Sequence, residues 1–289
     1  MAQVIEEETA NKLLKGICIP PQPQIMVDLQ MEMQMPETSL ENICAIISKD
    51  IGISGCILKV VNSPFFKLSN QIASIKEALC LLGIVNIANI INSLSIRDSF
   101  SDAKIIEMTP FWDNAMDVAM TSAAISRQLG LATPDEAYTL GLFHNTGIPL
   151  LVDKHPQYPK ILAEAYNESK RKITDIENDR IGTNHAVVGY FVAKAWKLPS
   201  YLAEVIASHH KTEDIFADIV QTDKHQKNLL AILKLAENTC KSCQTFGHTR
   251  VDHEFLRIKK NILIYIGLSE YDFEDLQHEL LEMSQSYTR

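Results

Sequence analysis

The chain has 289 residues, 46% of them hydrophobic and 22% charged, with only 11 glycines and 11 prolines. That balance excludes whole-chain disorder, collagen and low-complexity scaffolds, and the length allows one large domain or two of moderate size. Acidic residues outnumber basic ones 36 to 27, a formal charge of −9, and neither the first 105 residues nor the remainder is basic, so no nucleic-acid partner is expected.

Apolar residues recur at three and four along nearly the whole chain, and period-two alternation is scarce; the expected fold class is all-α. In chain order, helices are expected over 25–35, 40–49, 53–61, 75–82 and 85–99. An exposed break (SDAKIIEMT) follows. Further helices are expected over 110–129, 134–144, 158–169, 173–181, 186–196, 199–209, 224–244, 253–265 and 271–283. Ser39 with Asn42 opens one helix, and Thr133-Pro134-Asp135-Glu136 supplies a cap, a first-turn proline and two acids to another. Leu198-Pro199-Ser200 ends one helix and opens the next. The apolar period lapses near residues 100–109, which divides the chain into an N-terminal helical lobe (1–105), a larger helical lobe (106–247) and a C-terminal helical extension (248–289).

The most apolar run, LCLLGIVNIANIIN at 79–92, is interrupted by Asn86 and Asn89 and falls short of the roughly 20 residues a membrane span needs. The opening MAQVIEEETA is acidic and lacks a signal core. A cytoplasmic location without membrane contact is expected. The six cysteines are scattered among apolar residues and read as small core residues in a reducing compartment. Cys240 and Cys243 form a lone CxxC without a second pair, a poor metal or redox motif. No GxGxxG, GxxxxGK[ST] or GxSxG is present, so neither a phosphate cradle nor a nucleophile elbow is expected.

Of nine histidines, His144, His185, His209 and His210 stand apart, each at or near a helix end in the contexts LFHNTG, GTNHAVVG and IASHHK. Helix-end histidines in a helical lobe are able to converge on one metal cavity, although buried or capping histidines are the commoner case.

Five segments, GICIPPQPQIM, ISKDIGISGCILKVVNSPFF, QIASIKEALCLLGIVNIANII, LFHNTGIPLL and IGTNHAVVGYFVAKAWKLPSYLAEVIASHH, resemble an HDOD domain in its own order. HDOD is a branch of the HD superfamily of helical metal-dependent phosphohydrolases. The resemblance implies a two-lobed all-helical fold, bacterial signal transduction, and a frequently degenerate metal site. It also implies a first histidine ligand where Asn114 stands, a His-Asp pair at His144-Asn145, a further ligand at His185, paired histidines at His209 and His210, and a final aspartate at Asn238. Asparagine thus replaces one histidine and both carboxylates. Asn offers a hard divalent ion only a neutral oxygen, so no catalytic residues and no cofactor are expected. Should a metal be held, His144, His185, His209 and His210 are the expected ligands, and imidazoles suit Zn²⁺, Ni²⁺ or Cu²⁺.

Residues 39–61 have the outline of a helix-turn-helix around Gly52, but the second helix offers bases only Lys59 and Asn62 and reads as packing. Met26, Met31, Met33 and Met35 read as adaptable core. Phe65 and Phe66 follow in a loop, with Phe66 a candidate partner surface. The expected function is a non-catalytic bacterial regulatory module that binds a signalling protein or small ligand between its lobes or on the N-terminal lobe. The competing expectation is a metal-dependent phosphohydrolase of nucleotides or cyclic dinucleotides.

Overall fold

The computed structural model describes residues 13–14, 16–20, 23–62, 68 and 71–285, and among these every regular element is a helix. Two compact units form, the smaller over Pro20–Ile106 with the described residues from Leu281 onward, and the larger over Glu107–Leu280 with those up to Ile19.

The smaller unit is built from α1 (Gln24–Met33), α2 (Leu40–Ser48), α3 (Ile51–Val61) and α4 (Ile75–Asp98). Ser39 caps α2 by accepting from the Asn42 amide, and Asp50 caps α3 by accepting from the Ile53 amide. The apolar stripes then meet: Met26 and Leu29, Ile43 and Ile47, and Ile57, Val60 and Val61 are all buried. The helix-turn-helix outline is therefore spent on packing, since the second helix turns its apolar face inward. Of the methionines expected as core, only Met26 is buried; Met31, Met33 and Met35 are exposed. Phe65 and Phe66 lie outside the described residues.

Helix α4 breaks at Gly83, whose φ of 76° and ψ of 159° are far from helical, so it consists of the two expected helices placed end to end. Its segment Ile75–Leu94 reaches the length and hydropathy of a membrane span, which amends the expectation that no segment would. The segment is mostly buried and kinked, as a core helix is. The expected break after it contains a short helix, α5 (Asp102–Glu107).

In the larger unit, α6 (Thr109–Leu129) packs against α7 (Pro134–Phe143). The approach is close because Gly141 has no Cβ, which would lie 2.7 Å from the Ala119 Cα. Thr133 and Glu136 cap α7 reciprocally. There follow α8 (Gly147–Lys154), α9 (Tyr158–Asn167), α10 (Ile173–Ile181), α11 (His185–Ala195), α12 (Ser200–Ser208) and α13 (Thr212–Phe216). The single helix expected over 224–244 is two, α14 (Lys224–Thr239) and α15 (Ser242–Gly247), because Lys241 between them has φ 55°. Then come α16 (His253–Ile266) and α17 (Glu270–Gln285), which were expected as an extension. Helix α16 packs on α13 and α14 through a buried face of Phe255, Ile258, Ile262 and Leu263.

Candidate functional site

Three helix ends deliver the four histidines to one place. His144 terminates α7, His185 opens α11 behind the Asn184 cap, and His209 terminates α12 with His210 beside it. Glycines permit the convergence. A Cβ on Gly147 would stand 2.1 Å from the His185 carbonyl oxygen, and one on Gly189 would stand 3.0 Å from Ile206 on α12. The turn after α7 therefore presses directly on the start of α11, which in turn presses on α12.

The ring nitrogens then face one another. His185 Nε2 lies 3.2 Å from His209 Nε2 and 2.9 Å from His210 Nε2, and the His144 and His209 rings meet edge to face at 5.4 Å. All four are buried, none more than 2% exposed. The partners of the opposite nitrogens fix the tautomers. His144 Nδ1 donates to the Gly141 carbonyl at 2.8 Å and His209 Nδ1 to the Ile206 carbonyl at 2.7 Å. His185 Nδ1 donates to the Glu177 carboxylate at 2.8 and 2.9 Å, and His210 Nδ1 to Glu254 at 2.8 and 2.9 Å. With each ring proton on Nδ1, the Nε2 atoms of His185, His209 and His210 present lone pairs to a shared point, while His144 Nε2 faces Glu237. Burial first, then neighbouring positive charge including Lys234, holds the His209 and His210 imidazoles well below the usual histidine value, so extra protons are resisted.

Beyond the histidines lies a buried ion cluster. Lys234, on α14, pairs with Glu237 at 2.8 Å and with Glu254 at 2.9 Å, and Glu237 reaches His144 Nε2 at 3.4 Å. Polar contacts thus run unbroken from Glu177 through His185, His210, Glu254, Lys234 and Glu237 to His144. Tyr158 donates to Glu177 and closes that end. Burial opposes the Lys234 charge, but Glu237 and Glu254 outweigh it and raise its pKa. Burial likewise opposes ionisation of Glu237, and the Lys234 ammonium overcomes it, holding Glu237 well below the usual carboxylate range. At Glu254 burial prevails over Lys234, and its carboxyl is raised.

The three asparagines fare differently. Asn145 is buried and neither of its side-chain polar atoms has a hydrogen-bond partner. Asn114 accepts from Ser242. Asn238 does not join the histidines: it donates to Asp252 and accepts from Gln277. The acid at the site is its neighbour Glu237, about 100° around the helix. One carboxylate therefore persists where the sequence reading had none. Sequence reasoning also missed Lys234, Glu177 and Glu254. Lys234 and Glu237 carried a signal, because they fall at i+4 and i+7 from Leu230 on the buried stripe of α14. Glu177 and Glu254 carried none, since only the tertiary fold brings them to the histidines.

His185, His209 and His210 fit a single nitrogen-ligated ion. Their Nε2 separations approach the roughly 3.3 Å edge of a tetrahedron around zinc, and two of the three rings are oriented by carboxylates at Nδ1. They suit a pair of hard, oxygen-seeking ions poorly, because among the described residues Glu237 is the acid that faces an Nε2 of the histidine cluster.

Residues 19–212 match the HDOD domain family, and the chain belongs to it. An uncharacterised protein of Treponema pallidum (strain Nichols) is 26% identical over 196 residues, 66% of this chain; the chain spans only 37% of that relative. Among solved structures, a protein of Shewanella amazonensis SB2B proposed to be a phosphohydrolase superposes with a TM-score of 0.67 at 18% identity, covering 96% of this chain and 95% of that one. An HDOD domain protein of unknown function from Geobacter sulfurreducens does so with 0.65 at 21% identity, covering 96% and 95%. At these identities the likeness is one of fold.

Proposed function

We propose that this chain is a non-catalytic regulatory module of the HDOD family that acts by binding a protein partner or small ligand. The observation that carries the reading is the sealing of the histidine cluster. The cavity bordering it, lined by Lys234, Glu237 and Glu254 among others, measures about 10 Å³. That is the space of about one water molecule, and the four histidines beside it are themselves at most 2% exposed, which leaves a phosphate ester no open approach to their ring nitrogens. Asn145 supplies no charge to bridge two metals and hold an attacking hydroxide. His185, His209 and His210 would hold a metal through their Nε2 atoms, and in this closed setting it would serve as a structural centre rather than as a Lewis acid for substrate.

The smaller unit supports the binding half of the reading. A groove of about 400 Å³ is lined by Met33, Thr38, Leu40, Ile43, Leu79 and Ile84, close in sequence to the exposed Met31 and Met35. Adaptable thioether surface of this kind suits a partner or an apolar ligand.

The convergence of three Nε2 lone pairs favours a second reading, a metal-dependent phosphohydrolase. The deciding experiment is cleavage of bis(p-nitrophenyl) phosphate and of cyclic dinucleotides with added Mn²⁺ or Zn²⁺. The proposal expects no turnover above that of a His185→Ala variant. Metal-dependent turnover absent from that variant would establish the enzyme instead.

A further inference from the structure

We propose that the Lys234 ammonium is the resident cation of a second ion place beside the histidines, and that it excludes a divalent ion from there. The place is built of Glu237, Glu254 and Asp252 with the Tyr166 hydroxyl. All four line the cavity of about 10 Å³ into which Lys234 projects. The Lys234 side chain is 3% exposed, and its Nζ stands 2.8 Å from Glu237 and 2.9 Å from Glu254. The Tyr166 residue is 8% exposed, and its hydroxyl oxygen in the cavity wall has no hydrogen-bond partner. Glu237 and Glu254 with an unused hydroxyl in a small, mostly buried cavity are the donor set of a hard cation, and Asp252 adds charge beside them while it accepts from Asn238 and from the Phe255 amide. An ammonium is compact, carries three donors and supplies positive charge without a metal. Arriving divalent charge would be repelled across a buried distance where little water screens it. Carboxylates gathered for a cation are thus satisfied by the chain itself.

This inference rests on the non-catalytic reading and supplies its electrostatic reason. The test uses the full chain with Lys234→Gln and Lys234→Arg. Mn²⁺ affinity is measured by competition with a chelating dye, and folding by circular dichroism with and without Mn²⁺. Lys234→Gln should bind Mn²⁺ about 10- to 100-fold more tightly than the wild type, and Lys234→Arg should not. If Lys234→Gln unfolds without metal, Mn²⁺ should restore its fold. Unchanged affinity in folded Lys234→Gln, an equal gain in Lys234→Arg, or a Lys234→Gln chain unfolded even with Mn²⁺ would each overturn the assignment. Phosphodiester turnover by the wild type is scored separately: it would remove the non-catalytic reading, while the Mn²⁺ affinities of the variants decide Lys234.

Discussion

At the scale of single residues, His185 is the pivot, because its Nε2 meets two other imidazoles while Glu177 grips its Nδ1. Such a carboxylate fixes the ring's tautomer and rotation. Glu177→Gln should therefore weaken Zn²⁺ binding by about 10- to 100-fold in a chelator competition, and unchanged affinity would show that Glu177 does not orient the ring. The buried imidazoles also make stability depend on pH. His209 and His210 are depressed in the folded state below the value of 6.5 they regain on unfolding. The unfolded chain then binds more protons as pH falls below about 6.5, so stability is full above that pH and drops beneath it, by up to about 1.4 kcal/mol per pH unit for each histidine. Denaturant titrations at pH 7.5 and 5.5 with chelator present should show that loss, and it should shrink in His209→Gln. A loss of equal size in His209→Gln would remove His209 as its source. The four histidines were legible in the sequence because helix-end contexts and family resemblance both pointed to them. Asn238 was expected to line the histidine cavity, but it bonds Asp252 and Gln277 instead while its neighbour Glu237 reaches His144, a difference that side-chain direction on the helix decides.

At the scale of elements, the site depends on how closely helix ends approach. Gly147→Ala would drive a methyl group into the His185 carbonyl, 2.1 Å from its Cβ position, so the turn after α7 would have to retreat from α11. A loss of about 1–3 kcal/mol or more in denaturant unfolding is expected, together with weakened Zn²⁺ binding. Gly83 offers a contrasting test, because a Cβ there meets nothing within 4 Å, yet φ is 76°. Gly83→Ala should cost about 1–3 kcal/mol by backbone strain alone, and a neutral result would show that the kink in α4 is readily relieved. The long helices were legible because their apolar stripes and caps agree. Helix α8 was not: the run LFHNTGIPLL is buried nearly throughout and shows no period. Helices α5 and α13 are too short to carry one, and Lys241 gives no sign in the sequence of its positive φ.

At the scale of the whole molecule, the two units carry different properties. The larger unit buries charge in its core, three glutamates against one lysine around four histidines, and seals it from solvent. The smaller unit carries the apolar groove and the exposed methionines. The overall charge of −9 was legible from composition, and so was the helical class; the sealing of the histidines was not, because burial is a property of the assembled helices. The account holds that the cluster accepts one nitrogen-ligated ion and that Lys234 fills the neighbouring place. The most direct check is the metal content of the wild-type chain after loading with Zn²⁺ and with Mn²⁺ and removal of free ions, read by mass spectrometry of the metals. The account predicts no more than one ion per chain, with Zn²⁺ retained in preference to Mn²⁺. Two tightly held Mn²⁺ ions per chain would contradict it.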